Sequence, residues 1–371
     1  MKKKVIIIQR RLTHYRIPLF EALRNELEKR NIKLTLLVGE GTTEESYKGD
    51  AGDLDWAIQI GTRYMAGDRL CWQPFGRYVE DADLVIVTQE NKLLYNHWFM
   101  LKRRDFKLAF WGHGANLQSN YPNGLRERFK QWAARRVDWW FAYSQLSADM
   151  VEKISFPHDQ ITVLNNSIDT RDLQSKRATI TADEEAILRA DLGMDHGPVG
   201  IFIGSLHTDK RLNFLFAAAD RIRAYVPGFS LLIIGDGPLR DRISGMCDRR
   251  SWSSWVGPKH GREKALFLSI GNVILNPGLV GLGMLDSFIM QIPMVTTNCF
   301  LHSPEIAYLE NGRNGVITAD NLVEYSNALV TVLKSPEMLT QLRAGCAASA
   351  ERYSIEKMVA RFIGGIEKVL G

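Results

Sequence analysis

The sequence is poor in cysteine and has no long apolar run. Its four cysteines are Cys71, Cys247, Cys299 and Cys346. They are far apart and form no Cys-x-x-Cys pair, which argues against a zinc ribbon and a disulfide framework. No apolar run approaches the roughly 18 residues that cross a bilayer. The apolar run Val5–Ile8 is too short for the ~7–15 residues of a signal-peptide core. We therefore expect a cytoplasmic protein.

The second half of the sequence has almost no net charge. The net charge is +5, and residues 1–180 hold 28 Lys and Arg against 22 Asp and Glu. The remaining residues hold 19 against 20. An explanation of the positive charge must therefore lie in the first half, much of it within 101–136. The overall composition, 45% hydrophobic and 24% charged, is that of a globular protein.

Short apolar runs alternate with helical patterns along the whole chain, which is typical of buried parallel strands in βαβ units. A polar stretch over 167–197 interrupts them, and Thr181 begins a capping box there. We predict an α/β protein of two doubly wound domains, 1–180 and 181–353. A last helix over 354–371 lies outside the second sheet or packs back on the first domain.

Three loops follow predicted strands of the second domain. Gly204 is followed by Lys210 and Arg211, Gly235–Pro238 form a Gly-Asp-Gly-Pro turn, and 276–286 carry three glycines before a helix. Glycines at strand ends and free N–H groups at helix starts allow close approach of a phosphate. The first loop is equally compatible with a solvated polar turn, and the second taken alone indicates only a tight connection.

The order of these motifs resembles glycosyltransferase family 4. The matching segments are Gly204-Ser205-Leu206 with Lys210, Gly235–Pro238, Trp255-Val256-Gly257, Pro277 to Asp286, Pro304-Glu305-Ile306 with 311–315, and Asn165–Asp169. The resemblance covers about 140–371. It implies the GT-B fold, two Rossmann-like domains facing each other across a cleft. It also implies transfer of a sugar from a nucleotide-diphosphate sugar of UDP or GDP type, with retention of configuration.

The resemblance also implies donor-binding residues in the second domain. Lys210 would bind the diphosphate, backbone near Val256 the base, and Asp286 the ribose. The predicted donor-binding set is Gly204, Ser205, Lys210, Arg211, Val256, Gly281, Leu282, Gly283 and Asp286.

Two positions depart from the family pattern. Val280 stands where the family has the first of two glutamates, the one that contacts the donor sugar, and Ser205 replaces an arginine. Glu305, just before a helix at a strand end, is an alternative carboxylate for the sugar, or it complements that helix dipole. We predict Glu305 as one catalytic residue.

Candidate residues of the first domain also follow strands. His113 lies between two glycines at a strand end, where the resemblance places a histidine close to the transferred sugar. We predict His113 as the second catalytic residue, and a hydrogen-bonded turn histidine is the alternative. His14 and Arg16 follow the first strand and are predicted to contact the acceptor or a phosphate. A solvated loop with a capping Thr13 is the alternative.

Partners follow from the charge and from this resemblance. Basic and aromatic residues over 97–136 indicate a surface for anionic lipid, or a core-packed helix with a solvated basic face.

Two Asp-x-Asp pairs, 53–55 and 81–83, are interpreted as structural, so we predict no metal. No Gly-x-Gly-x-x-Gly follows the first strand, so we predict no nicotinamide cofactor. Nucleic acid is not an expected partner.

The leading hypothesis is therefore a retaining, metal-independent glycosyltransferase of bacterial surface polysaccharide or glycolipid synthesis, cytoplasmic or peripheral on the inner face of the membrane. Its acceptor would be a glycan or a lipid-linked molecule. A nucleotide-sugar 2-epimerase of the same fold and a catalytically inactive sugar-nucleotide-binding protein are the alternatives.

Overall fold

The computed structural model describes residues 2–46, 50–102, 104–114, 132, 135–194 and 196–371. The chain forms two compact units. Unit 1 comprises 1–169 and 354–371, and unit 2 comprises 170–353.

Unit 1 has a parallel sheet in the order β3-β2-β1-β6-β7-β8-β9, with β4 and β5 forming a separate antiparallel pair. Its strands are β1 (Lys3–Gln9), β2 (Ile32–Val38), β3 (Ile58–Gln59), β4 (Arg63–Met65), β5 (Leu70–Trp72), β6 (Leu84–Thr88), β7 (Lys107–Gly112), β8 (Trp139–Ala142) and β9 (Ile161–Val163). Its described helices, with chain-order numbers, are α1 (Ile17–Lys29), α2 (Thr43–Ser46), α3 (Leu94–Phe99), α4 (Gln145–Lys153) and α13 (Ile355–Leu370).

Unit 2 has a parallel sheet in the order β12-β11-β10-β13-β14-β15. Its strands are β10 (Val199–Ile203), β11 (Ser230–Ile234), β12 (Ser253–Trp255), β13 (Val273–Leu275), β14 (Met294–Thr297) and β15 (Gly315–Thr318). Its helices are α5 (Arg171–Arg177), α6 (Ala182–Asp191), α7 (Leu212–Tyr225), α8 (Arg240–Cys247), α9 (Gly261–Ser269), α10 (Gly283–Met290), α11 (Leu322–Lys334) and α12 (Pro336–Arg352). Short 3-10 turns cover His14–Arg16, Gly76–Tyr78, His158–Gln160, Thr208–Lys210 and Pro304–Tyr308.

Both faces of the unit 1 sheet are covered, which explains the continuous apolar runs. Val5 and Ile7 of β1 belong to the core beneath α1 and α13, whereas Ile6 and Ile8 belong to the core on the other face. Successive side chains of a strand point to opposite faces, so a strand buried on both faces must be apolar at every position. The predicted doubly wound architecture is confirmed.

The unit boundaries differ from the predicted 180/181. Helix α5 lies in unit 2, where Arg177 donates to the backbone carbonyl of Ile289 at 2.7 Å. The C-terminal helix returns to unit 1, with Phe362 stacked on Phe141 at 4.6 Å between ring centroids. The first boundary, 169/170, still falls within the polar stretch over 167–197, whereas the return of the C-terminal helix depends on packing partners that lie far away in the sequence.

The turn after β11 requires glycine for steric reasons. Gly235 has a φ of +141°, and a Cβ there would lie 1.9 Å from the carbonyl oxygen of Gly204 in the turn after β10. Gly237, with a φ of +158°, would bring a Cβ within 2.7 Å of the backbone nitrogen of Leu206. The Gly-Asp-Gly-Pro turn is thus a close backbone contact between two neighbouring loops.

Gly235→Ala is expected to lower the free energy of unfolding by more than about 2 kcal/mol, because strained backbone and a backbone clash add together. Gly245 offers a matched control within α8, where a Cβ would meet nothing within 4 Å. Gly245→Ala should raise stability by about 0.5–1 kcal/mol. Urea denaturation of both variants measures the difference, and equal stabilities would contradict the proposed contact.

Candidate functional site

The turn after β10 lies at the carboxyl edge of the unit 2 sheet. Gly204 donates its N–H to the carbonyl of Ile234 at 3.0 Å, and Leu206 donates to Asp236 at 2.9 Å. Gly204 itself has a φ of +152°, and Ser205 beside it is exposed. The turns after β10 and β11 therefore hold each other at one edge, as the carboxyl ends of neighbouring parallel strands do.

Lys210 ends a 3-10 turn that leads into α7. Its ammonium donates to the backbone carbonyl of Leu279, in the loop after β13, at 2.6 Å. Burial lowers the pKa of Lys210, and the charge of Asp209 opposes this shift. The ammonium thus has a carbonyl as a hydrogen-bond partner. It forms no ion pair with a carboxylate in the part of the chain that the structure describes.

The backbones of these two loops touch. Leu279 donates its N–H to the carbonyl of Asp209 at 2.9 Å. A Cβ at Gly278 would lie 2.2 Å from the same oxygen, so only glycine fits. The predicted Lys210 and the glycine-rich loop, which are separated in sequence, therefore form one site.

Helix α10 begins in this site. Leu282 is its N-cap, no side chain caps it, and Gly281, Leu282 and Gly283 are exposed or half-buried. A Cβ at Gly283 would meet nothing within 4 Å, so the helix start is open. The N–H groups of Met284 and Leu285 donate to the carbonyls of Gly281 and Leu282. Among the described residues, the N–H groups of Gly281–Gly283 therefore remain for an anion, which a helix start favours. The arrangement can therefore bind a phosphate group with Lys210.

Arg211, also predicted to contact the donor, has several protein partners. Its guanidinium donates to the carbonyl of Pro277 at 3.2 Å and to the hydroxyl of Thr297 at 3.3 Å, and it forms an ion pair with Asp320. These partners follow β13, end β14 and follow β15. Arg211 therefore ties four strand ends together, and its charge is neutralised by Asp320.

Asp286 also has a protein partner. It lies in the first turn of α10, is buried, and forms an ion pair with Lys264 of α9, with 2.7 Å between Nζ and Oδ2. The predicted contact with a ribose is not tested by this geometry. A ribose hydroxyl would have to share the carboxylate with Lys264.

Val280, where the family has a glutamate, is completely buried and belongs to a contact that the sequence analysis missed. Its N–H donates to Nδ1 of His302 at 3.2 Å, and Nε2 of His302 lies 2.7 Å from the carbonyl of Thr297. These partners fit a neutral imidazole with the proton on Nε2. His302 therefore joins the loop after β14 to the glycine-rich loop. The sequence could have indicated His302 only through its position three residues before the candidate Glu305.

Cys299 lies beside the same imidazole, with 3.6 Å between Sγ and Nε2. Burial raises the pKa of this thiol, but hydrogen bonds from His302, the backbone of Leu301 and the side chain of Thr297 bring it to about 7.

Glu305 is not placed as an open carboxylate. It lies in the 3-10 turn Pro304–Tyr308 and is only 3% exposed. To contact a sugar, this carboxylate would have to become accessible from its buried position. The predicted catalytic role of Glu305 and the helix-start interpretation both stay predictions.

Val256 continues the edge strand β12, and its N–H donates to the carbonyl of Ile233 at 3.1 Å. Its neighbour Trp255 donates its indole N–H to the carbonyl of Gly235 at 2.9 Å. Val256 is half-buried beside the turn after β11. The carboxyl edge from β12 to β13 thus carries the predicted base, phosphate and helix-start residues in spatial order.

The first-domain candidates gather at the carboxyl edge of the unit 1 sheet. His113 is exposed just after β7 and makes an edge contact with Tyr143 at 4.4 Å. The guanidinium of Arg16 lies 5.6 Å from the same tyrosine ring. His14 is exposed, with Nδ1 3.3 Å from the carbonyl of Asp50. Arg16 and His113 are therefore brought together by Tyr143.

The predicted membrane surface falls mostly outside the described residues, because 103, 115–131, 133 and 134 are not among them. Its described part includes Trp98, which is 41% exposed, with the ammonium of Lys102 3.9 Å from the centre of its ring. None of the described helices is long and apolar enough to cross a membrane. Within the same residues, no three His, Cys, Asp or Glu side chains are grouped to hold a metal ion.

Comparison with known protein families finds a match for a large part of unit 2. Residues 197–335 match the family model described as Glycosyl transferases group 1. This part of the chain, which lies within unit 2, is therefore similar to glycosyltransferases. The resemblance to glycosyltransferases that the motifs predict is confirmed for these residues.

Two curated relatives are distant. The α-monoglucosyldiacylglycerol synthase of Acholeplasma laidlawii is 23% identical over 211 residues, which cover 55% of this chain and 52% of that protein. The α-D-kanosaminyltransferase of Streptomyces kanamyceticus is 20% identical over 276 residues, which cover 66% of each. The chain thus spans about half of the first relative and about two thirds of the second.

Solved structures match nearly the whole chain. Anabaena HepE in complex with UDP has a TM-score of 0.72 at 14% identity, covering 99% of this chain and 100% of that one. The lipopolysaccharide outer core galactosyltransferase WaaB has a TM-score of 0.69 at 14% identity, covering 98% and 99%. These matches show that this chain has the GT-B fold with two Rossmann-like domains.

His302→Ala is expected to lower the free energy of unfolding of the protein by about 1–3 kcal/mol, because the N–H of Val280 and the carbonyl of Thr297 lose their hydrogen bonds to the imidazole. Exposed His196 provides the control, since its ring has no comparable contact among the described residues. Thermal melting of both variants tests this role. A melting temperature of His302→Ala that equals that of His196→Ala would contradict it.

Proposed function

We propose that this chain transfers a sugar from a nucleotide-diphosphate sugar to a glycan or lipid-linked acceptor, with retention of configuration. Unit 2 would bind the donor and unit 1 the acceptor. The reaction would serve bacterial surface polysaccharide or glycolipid synthesis. The enzyme would work without a metal ion, on the cytoplasmic side, and at the membrane surface where the acceptor is a lipid.

One observation carries the donor assignment. The ammonium of Lys210 lies at the carbonyl of Leu279, next to the uncapped start of α10. A diphosphate needs positive charge and N–H donors at one place, and these two loops supply both. The lowered pKa of Lys210 supports this assignment, because a buried cation gains most from an anionic ligand.

The relatives support the substrate classes. Anabaena HepE was solved in complex with UDP, with UDP and glucose, and with UDP-glucose. The Acholeplasma relative is named as a synthase of a glycolipid. We therefore favour a UDP-sugar as donor and a glycolipid or lipid-linked glycan as acceptor.

The chemistry requires charge stabilisation at the leaving diphosphate as the bond to the sugar breaks. Lys210 and the start of α10 would supply it without a metal ion. His113, exposed at the carboxyl edge of unit 1, would hydrogen-bond the transferred sugar. Buried Val280 and Glu305 are not assigned to the sugar, so its recognition would depend on other groups at these edges.

Lys210→Ala is expected to weaken UDP binding by about 10–100-fold, because a charge-assisted hydrogen bond contributes roughly 1.5–3 kcal/mol. Lys334→Ala removes the same charge at the exposed end of α11 and should leave the affinity unchanged. Isothermal titration with UDP compares the two. Equal affinities would remove the diphosphate assignment from Lys210.

Stereochemistry tests the reaction itself. A UDP-sugar with an α-anomeric bond should give an α-linked product, in the presence of EDTA as in its absence. The anomeric proton coupling in the NMR spectrum of the product reports the configuration. A β-linked product or loss of activity in EDTA would contradict the proposal, and a changed sugar nucleotide without acceptor would indicate an epimerase.

A further inference from the structure

Arg16 is surrounded by aromatic rings. Its guanidinium carbon lies 5.0 Å from the ring centre of Trp111, 5.4 Å from that of Tyr15 and 5.6 Å from that of Tyr143. These residues end β7, follow β1 and follow β8, so the cage is built by three parts of the chain at the carboxyl edge of unit 1. We call Tyr15, Arg16, Trp111 and Tyr143 the arginine cage.

Two hydrogen-bond donors in the cage lack an acceptor among the residues that the structure describes. Arg16 is only 7% exposed, and its Nη1 is buried without a hydrogen-bond partner. The indole nitrogen of Trp111 is also buried and unpaired. Buried N–H groups are almost always hydrogen-bonded in native proteins, so an external acceptor is expected here.

Neighbouring arginines show how this chain normally pairs such a charge. Arg10 forms ion pairs with Glu45 and Glu90, and Arg11 pairs with Asp50 at 2.7 Å. Arg16 has no carboxylate partner within the described ranges. The faces of the aromatic rings attract its charge, but they accept none of its in-plane hydrogen bonds.

The missing partner has a defined chemistry. A guanidinium presents N–H groups in a planar fork that matches a phosphate or carboxylate. Exposed His14 and His113 lie at the same edge as the cage and can contribute further donors. An anion with two oxygens therefore fits the site better than a neutral sugar.

We propose that the arginine cage binds an anionic group of the acceptor, a phosphate or a carboxylate. This proposal rests on the proposed function, because it assigns the anion to the acceptor of the transfer reaction. The cage belongs entirely to unit 1, whereas the residues assigned to the donor belong to unit 2. A lipid phosphate and the carboxylate of an acidic sugar share the required chemistry.

The first test measures binding without turnover. Methyl phosphate and glucuronate represent the two sources, and each is titrated at constant ionic strength while the melting temperature is followed. A ligand that binds only the native state raises this temperature. We expect one of the two to stabilise the wild type and Arg11→Met. Arg16→Met should show at least a tenfold weaker response, and Arg16→Lys an intermediate one.

The identity of the stabilising probe distinguishes a phosphate from a carboxylate source. The proposal is overturned if neither probe stabilises the wild type, or if Arg16→Met responds as the wild type does.

The second test separates a binding role from a structural one. Without ligand, Arg16→Met should melt at the wild-type temperature or above it, because the variant removes an unpaired buried charge. A large drop would indicate a structural arginine and overturn the proposal.

UDP titration separates failure of the cage from failure of the proposed function. Arg16→Met should bind UDP as the wild type does, and loss of UDP binding would assign the anion to the donor and overturn the proposal. If the wild type fails to bind any sugar nucleotide, the proposed function fails, while the probe titrations still decide whether the cage binds an oxyanion.

Discussion

The contact between the loops after β10 and β13 is the constraint on which the candidate site depends. It consists of backbone and one ammonium: Leu279 donates to Asp209, Lys210 donates to Leu279, and Gly278 leaves no space for a side chain. A cation is thereby held beside the open start of α10. Because most of these bonds involve backbone groups, they do not depend on the side chains of Asp209 and Leu279.

Two further contacts keep this edge in register. Arg211 joins the ends of β10, β13, β14 and β15, and His302 joins the loop after β14 to Val280. Both residues hold neighbouring loops of the candidate site together. Arg211 is neutralised by Asp320, whereas the ammonium of the adjacent Lys210, which we propose to bind the diphosphate, has only a backbone carbonyl as its partner among the described residues.

The sequence predicted the fold because its signals are local. Continuous apolar runs reveal strands buried on both faces, and glycines directly after them mark close backbone approach, as at Gly235 and Gly278. The roles of charged residues were harder to predict, because their partners lie far along the chain. Arg211 pairs with Asp320, and Asp286 with Lys264. Glu305 is adjacent to the expected region but buried, and no local pattern indicates the burial of a single carboxylate.

The central claim is that the diphosphate of a sugar nucleotide binds between Lys210 and the start of α10. A crystal structure of the protein with UDP tests it most directly. We predict phosphate oxygens within hydrogen-bond distance of Lys210 Nζ and of the N–H groups of Gly281–Gly283, with the uracil near Val256. Electron density for the diphosphate at another place, with the loop after β13 unoccupied, would contradict it.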